Sequence, residues 1–330
     1  MSILEPAPSA LHRQSIVIDG LIVSNWSRKL FGEMRDGGLT AANCTCGIWE
    51  GFVPSMQAIA EWKQLLADNA DLITQVYSAA DILRAKQEGR VGIILGWQNS
   101  TGFGEDLRMV PLFRELGLRV VQMTYHTANF AGSGCLEGVD RGLTDFGRDL
   151  VATLNREGIL IDLSHVGSQT SRDVIAASTK PVSYTHCAPR ALKDHARNKT
   201  DAELRELADR GGMIGVTMFP PFTAKGNEST LEDYIDAIAH VVDVCGEEQV
   251  GIGTDFMLDM PSERMGYFLR DKGYGRRLLT PTGPKFPAEI GRIRQFPNLT
   301  AAMERRGWSD QRIARLMGGN WLRILGEVWA

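Results

Sequence analysis

Two histidines close consecutive strand-like runs: Ile159-Leu160-Ile161-Asp162-Leu163-Ser164-His165 and Pro181-Val182-Ser183-Tyr184-Thr185-His186. Between them the stretch from Ser168 to Ser178 reads as a helix. Strand, helix and strand in that order build parallel sheet, and parallel β/α folds bind ligands at the C-terminal rim of their strands. Both imidazoles should therefore reach one rim. Two neutral imidazoles meeting at one point suit a zinc-like cation. A third histidine, His126, ends the run Arg119–His126, and Asp255 ends Val250–Asp255. One strand-end histidine more often makes a structural hydrogen bond than does chemistry. Three of the chain's six histidines on one rim, with an aspartate beside them, point to a reaction site.

Other residues carry weaker signals. Gln98 ends the run Val91–Gln98, and Leu21 or Val23 ends the first strand. Cys44 and Cys46 share a strand face, but a C-x-C pair without a second pair reads as small buried hydrophobes rather than zinc ligands. Arg197 precedes a helix and is either a solvated charge or an anchor for a substrate carboxylate, which a planar guanidinium fits well. Trp26 and Trp97 read as packing residues that could also wall a pocket. His12, His195 and His240 read as surface or helix residues.

These side chains need a scaffold. Eight short apolar runs read as strands: Ser15–Leu21, Leu39–Cys46, Val91–Gln98, Arg119–His126, Leu160–His165, Pro181–His186, Met213–Met218 and Val250–Asp255. Most lack strict alternation, as strands covered on both faces should. Helical spacing fills gaps at Asp106–Leu116, Thr144–Glu157, Asp201–Arg210 and Thr230–Cys245, with a long terminal helix at Ser309–Glu327. The expected architecture is one (β/α)₈ TIM-type barrel domain over residues 1–330. An open doubly wound sheet is the alternative, but Asp19-Gly20-Leu21-Ile22-Val23 is no phosphate loop. Met257–Phe286 reads as a long loop after strand eight, placed to overhang the rim as a lid.

Bulk composition excludes some partners. Formal charge is −4, from 36 basic and 40 acidic residues, so no basic footprint for nucleic acid or an anionic membrane exists. No secretory leader is evident and the apolar runs are too short to span a bilayer. Five cysteines without framework spacing fit a reducing, cytoplasmic setting. Trp308, Trp321 and Trp329 could support a homodimer, or pack against the barrel base.

Several segments in order resemble the membrane (renal) dipeptidases of the amidohydrolase superfamily. They are Met123-Thr124-Tyr125-His126-Thr127-Ala128-Asn129, Asp162-Leu163-Ser164-His165, Ser183-Tyr184-Thr185-His186, Arg197-Asn198, Gly253-Thr254-Asp255-Phe256 and Gly318-Gly319-Asn320-Trp321-Leu322-Arg323-Ile324. The resemblance implies a two-zinc barrel that hydrolyses dipeptides. It implies His165 and His186 as ligands of one metal, His126 as the group that polarises the scissile carbonyl, Arg197 as the substrate-carboxylate anchor, and Asp255 as the catalytic aspartate. It also exposes departures. The family's Asp-Gly-His-x-Asp is here Asp19-Gly20-Leu21-Ile22-Val23, and Gln98 aligns with the bridging glutamate. Leucine and valine bind no metal, and an amide is a weak zinc ligand without the bridging charge.

The expectation is therefore a dipeptidase-like hydrolase of a small carboxylate-bearing substrate. Its centre holds one zinc at most, on His165, His186 and weakly Gln98, or none. Two alternatives remain: an inactive barrel that binds a small metabolite, and a metal-free acid/base enzyme that uses the same histidines.

Overall fold

The structure is a computed structural model that describes residues 8–269 and 283–330. Residues 270–282, the middle of the loop expected to act as a lid, lie outside the described residues. The strands are β1 (Ile18–Ile22), β2 (Ala41–Gly47), β3 (Ile73–Gln75), β4 (Val91–Trp97), β5 (Leu118–Gln122), β6 (Leu160–Asp162), β7 (Ser183–Cys187), β8 (Met213–Val216) and β9 (Val250–Ile252). All pairings are parallel, in the order β1-β2-β4-β5-β6-β7-β8-β9. Ile22 bridges Phe256, the Val23 N–H donates to the Phe256 carbonyl at 2.9 Å, and the Asp255 N–H donates to the Leu21 carbonyl at 3.1 Å. These contacts bring the first stave to the last, giving the expected TIM-type barrel.

The ninth strand, β3, is absent from the sequence reading. It pairs with residues 91–93 of β4 and fills the space below the point where β4 meets β5. At three residues it is too short to leave a period in sequence. The reading also ran several strands too far. β5 stops at Gln122, β6 at Asp162 and β9 at Ile252, so His126, His165 and Asp255 stand on the loops beyond. For ligand binding this placement is favourable, because the loops after the strands form the rim.

Helices cover the outside, and their ends follow side-chain capping. The Thr144 hydroxyl accepts from the Gly147 N–H at 2.9 Å. Thr200 with Glu203 and Thr230 with Asp233 form reciprocal capping boxes. The helices Arg28–Asp36, Phe52–Asp68, Ala79–Gln87 and Phe296–Arg305 were not expected. The terminal helix is not continuous. It runs Asp310–Ala314, a π turn at Arg315–Gly319, then Asn320–Trp329. Gly318 lies against the backbone of Ile16 and Ile18, where a side chain would collide, and the chain bends to make that contact.

The barrel floor is closed by Trp321. Its indole N–H donates to the Ile252 carbonyl at 2.8 Å, and its ring fills the space that Gly20 and Gly215 leave open. Trp321 and Trp329 are both buried, so these two pack against the barrel base rather than offer a dimer surface. His12, expected as a surface or helix residue, lies on a short helix but is buried. Its ring joins the Thr300 hydroxyl at 2.7 Å and the Gly37 carbonyl at 3.0 Å. Its role is to tie the chain start to the helix Phe296–Arg305.

Candidate active site

Asp162 organises the rim. Its carboxylate accepts from Ser164 N–H at 3.0 Å, the Ser164 hydroxyl at 2.6 Å, Thr185 N–H at 2.9 Å and the Thr185 hydroxyl at 2.7 Å. The turn after β6 and the middle of β7 are thereby tied to one buried group. This tie aims the following residues, His165 and His186, at each other. Burial raises the Asp162 pKa, against the four hydrogen bonds that lower it.

Three imidazoles then form a chain. His165 Nδ1 lies 3.1 Å from His126 Nδ1, and His165 Nε2 lies 2.9 Å from His186 Nε2. His186 Nδ1 meets the Thr185 hydroxyl at 2.8 Å. Burial holds all three pKa values well below the usual imidazole value, and the charge of Arg197 adds to this. The rings are neutral at neutral pH. A neutral imidazole has one donor and one acceptor nitrogen. With Thr185 donating to Asp162, every proton in the chain points toward Asp162 and His126 Nε2 keeps a lone pair. With Asp162 protonated, the chain reverses and His126 Nε2 becomes a donor. No imidazolium is needed in either direction.

His126 is held in a left-handed backbone conformation, φ 61°. Gly134 lies against its carbonyl so closely that no side chain fits there. The Leu136 N–H donates to the same carbonyl at 2.8 Å. Asn129 ties down this loop by donating to Asn99 and to the Met123 carbonyl, both at 2.8 Å. The Tyr125 ring stacks on His165 at 4.1 Å and 23°.

Arg197 is fully buried. Its Nη2 donates to the His186 carbonyl at 2.6 Å, while Nε and Nη1 have no hydrogen-bond partner among the described residues. The Phe222 ring lies 5.3 Å from the guanidinium carbon. Its neighbours explain the burial. Asn198 donates to the Phe222 carbonyl at 2.9 Å, and Lys199 donates to the Val166 carbonyl at 2.8 Å. Among the polar residues of Ala196-Arg197-Asn198-Lys199-Thr200, nothing in the sequence marks a buried loop.

Asp255 also has a left-handed backbone, φ 58°. No hydrogen bond reaches its carboxylate from the described residues. Burial pushes its pKa up to about 7, against a downward pull from Arg197. Next to it, Thr254 donates through its N–H at 2.9 Å and its hydroxyl at 2.5 Å to buried Asp19. That pair fixes the turn carrying Asp255. The left-handed backbone at His126 and Asp255 marks two positions that the surrounding loops fix against local preference.

The metal expectation meets a poor donor set. Leu21 and Val23 are buried and apolar, and Val23 packs with Ile48, Tyr125 and Phe268. Gln98 donates through its side-chain amide to the Thr45 hydroxyl at 2.9 Å and forms no hydrogen bond to the histidines. Among the described residues no three His, Cys, Asp or Glu side chains gather as a metal site. Two nitrogens bound to one tetrahedral zinc stand about 3.3 Å apart, against 2.9 Å between His165 and His186. The residues present do not fit a paired zinc centre. Cys44 and Cys46 are buried free thiols whose pKa values burial raises, as small hydrophobes should be.

Known proteins supply context for this geometry. A family model described as membrane dipeptidase, peptidase family M19, matches residues 23–266 and 281–330. Dipeptidase tcpJ of Claviceps purpurea is 29% identical over 277 residues, 83% of this chain and 60% of that protein. This chain thus matches about 60% of the length of that curated relative. A crystal structure of an amidohydrolase from Pseudomonas aeruginosa is 48% identical with a TM-score of 0.95, covering 98% of this chain and 99% of that one. A metallo peptidase from Rhodobacter sphaeroides, liganded with a phosphinate mimic of the dipeptide L-Ala-D-Ala, shares the fold at 21% identity and a TM-score of 0.80, covering 96% and 100% of the two chains.

Proposed function

Because the chain belongs to the membrane dipeptidase family, we propose that it hydrolyses the amide bond of a small, carboxylate-bearing, dipeptide-like substrate. The carrying observation is Arg197: a buried guanidinium beside the imidazole chain with two nitrogens, Nε and Nη1, unpartnered among the described residues. A buried guanidinium with unfilled donors is costly, and an incoming carboxylate would supply the missing acceptors.

Arg197 binds the substrate carboxylate and sets the scissile amide over the rim. Asp255, ionised above about pH 7, takes the proton from the attacking water and returns it to the leaving amine. His126 Nε2 donates to the oxygen that gains charge, in the chain direction that makes it a donor. His165, His186 and Thr185 hold His126 in place, and the donor direction requires Asp162 to carry the proton it shares with Thr185.

In this reading the centre is metal-poor, with one zinc at most, on His165 and His186, and Gln98 a weak third donor. Five free cysteines support a reducing, cytoplasmic setting. No helix of the described residues is long and apolar enough to cross a membrane.

A dipeptide panel assayed with zinc-loaded and chelator-treated protein, with zinc counted in both, tests the proposal. Cleavage with no more than one zinc per chain is the expected result. Ligand affinity without any turnover would favour the inactive binding barrel instead, and chelator-resistant turnover would favour the metal-free enzyme.

A further inference from the structure

Across the barrel mouth from Arg197, a cavity of about 540 Å³ opens beside the ends of β1 and β2. The helix Phe52–Asp68 and the segment after β9 complete it. Its volume is that of a small-molecule site. Val23, Trp26, Ile48, Trp62 and Phe268 give it apolar and aromatic walls. The Trp26 and Trp62 rings meet at 4.9 Å, so this wall is packed rather than loose. Glu50 braces the opposite side: its carboxylate accepts from Ile48 N–H at 2.6 Å, Trp49 N–H at 3.0 Å and the Tyr267 hydroxyl at 2.6 Å. Glu61, Glu263 and Arg264 also line the cavity, giving three carboxylates to one guanidinium.

The cavity adjoins the reaction site through two contacts. Val23 donates its N–H to the Phe256 carbonyl at 2.9 Å, next to Asp255. Ile48 and Phe268 pack with Tyr125, and the Tyr125 ring lies on His165. Val23 and Leu21 stand where the family resemblance places metal ligands. Here Val23 belongs to the wall of a pocket.

We propose that this cavity receives the amino-terminal side chain of the substrate, and that it takes a bulky aromatic side chain while rejecting an acidic one. The inference rests on the hydrolase reading above. A substrate held by its carboxylate at Arg197, beyond β7, with its amide over Asp255 and His126, extends its other residue toward β1 and β2. Strand order puts β1 and β2 about half a turn of the barrel from β7. Aromatic walls favour a large ring by burial and edge contacts. The carboxylate excess repels a negative side chain.

The test compares kcat/KM for phenylalanyl-, alanyl- and glutamyl-alanine in wild type and in Ala58→Phe, which fills the cavity from the helix side. Wild type should prefer phenylalanyl- over alanyl-alanine roughly a hundredfold, with glutamyl-alanine slowest. A58F should narrow the phenylalanyl-to-alanyl ratio at least about tenfold, and A58M replaces it if A58F does not fold. Equal rates for the three peptides, or a ratio that the filling variants leave unmoved, overturn the proposal while the hydrolase reading stands. Should wild type cleave no dipeptide, the hydrolase reading falls. Calorimetric titration of phenylalanyl-alanine then decides the cavity separately: tighter binding to wild type than to A58F supports it, and equal or absent binding overturns it.

Discussion

Asp255 carries the sharpest prediction at the scale of single residues. Its carboxyl has a pKa raised to about 7 by burial, and it must be ionised to accept a proton. kcat/KM should therefore rise as pH passes through about 7. The same shift has a stability sign. A carboxyl with a raised folded pKa contributes stability below its ordinary value of 3.8, and that contribution is lost as pH rises through about 7. Asp255→Asn should thus lose about 10²- to 10⁴-fold in rate. Yet it should melt above wild type at pH 8, with the difference shrinking toward pH 4. A variant that melts lower than wild type at pH 8 would show that the carboxylate is stabilised where it sits. The histidines and Asp255 were legible in sequence, because a polar residue at the end of an apolar run stands out. Asp162, Ser164 and Thr185 were visible only as parts of quoted motifs. Their work as the tie behind the imidazoles depends on contacts between β6 and β7, which no spacing along the chain encodes.

Loops beyond the strands place His126, His165, Arg197 and Asp255, while His186 stays within β7. His126 sits four residues beyond β5, and Gly134 supports its left-handed backbone by close contact. Gly134→Ala would push the His126 carbonyl away. Activity should fall more than stability, with an overpacking cost of about 1–3 kcal/mol, read by denaturant unfolding beside a rate assay. Full activity in a folded G134A protein would mean that His126 tolerates displacement. At the barrel base, Trp321→Ala should cost about 3–5 kcal/mol in unfolding free energy, because the buried ring is the floor between Gly20 and Gly215. A loss below about 1 kcal/mol would show that the floor is closed by other groups. The sequence marked strand existence well and strand ends poorly. Apolar runs continue past the strand ends, since rim residues such as Met123 and Leu163 are as buried as those within the strands. The sequence shows one helix over Ser309–Glu327 where the structure breaks it, because helical periodicity passes through Gly318 while its contact with Ile16 does not show.

Across the whole molecule, the barrel keeps the family's architecture, and its mouth has two unlike sides. One side presents a buried cation, Arg197, whose Nε and Nη1 lack partners among the described residues. The opposite side presents apolar residues, Val23, Ile48 and Phe268, beside an aromatic cavity. Leu21 and Val23 were legible as departures once the resemblance was drawn, but the cavity beside them joins residues more than two hundred positions apart. No local pattern announces such a pocket. The sequence leaves Arg197 open between a solvated charge and an anchor, and its burial excludes the solvated charge. The most direct measurement is kcat/KM for a dipeptide against its C-terminal amide, in wild type and in Arg197→Met. Wild type should favour the free carboxylate by about a hundredfold or more, through KM, and R197M should erase the preference. Equal cleavage of the two by wild type, or a preference that survives R197M, would contradict the account.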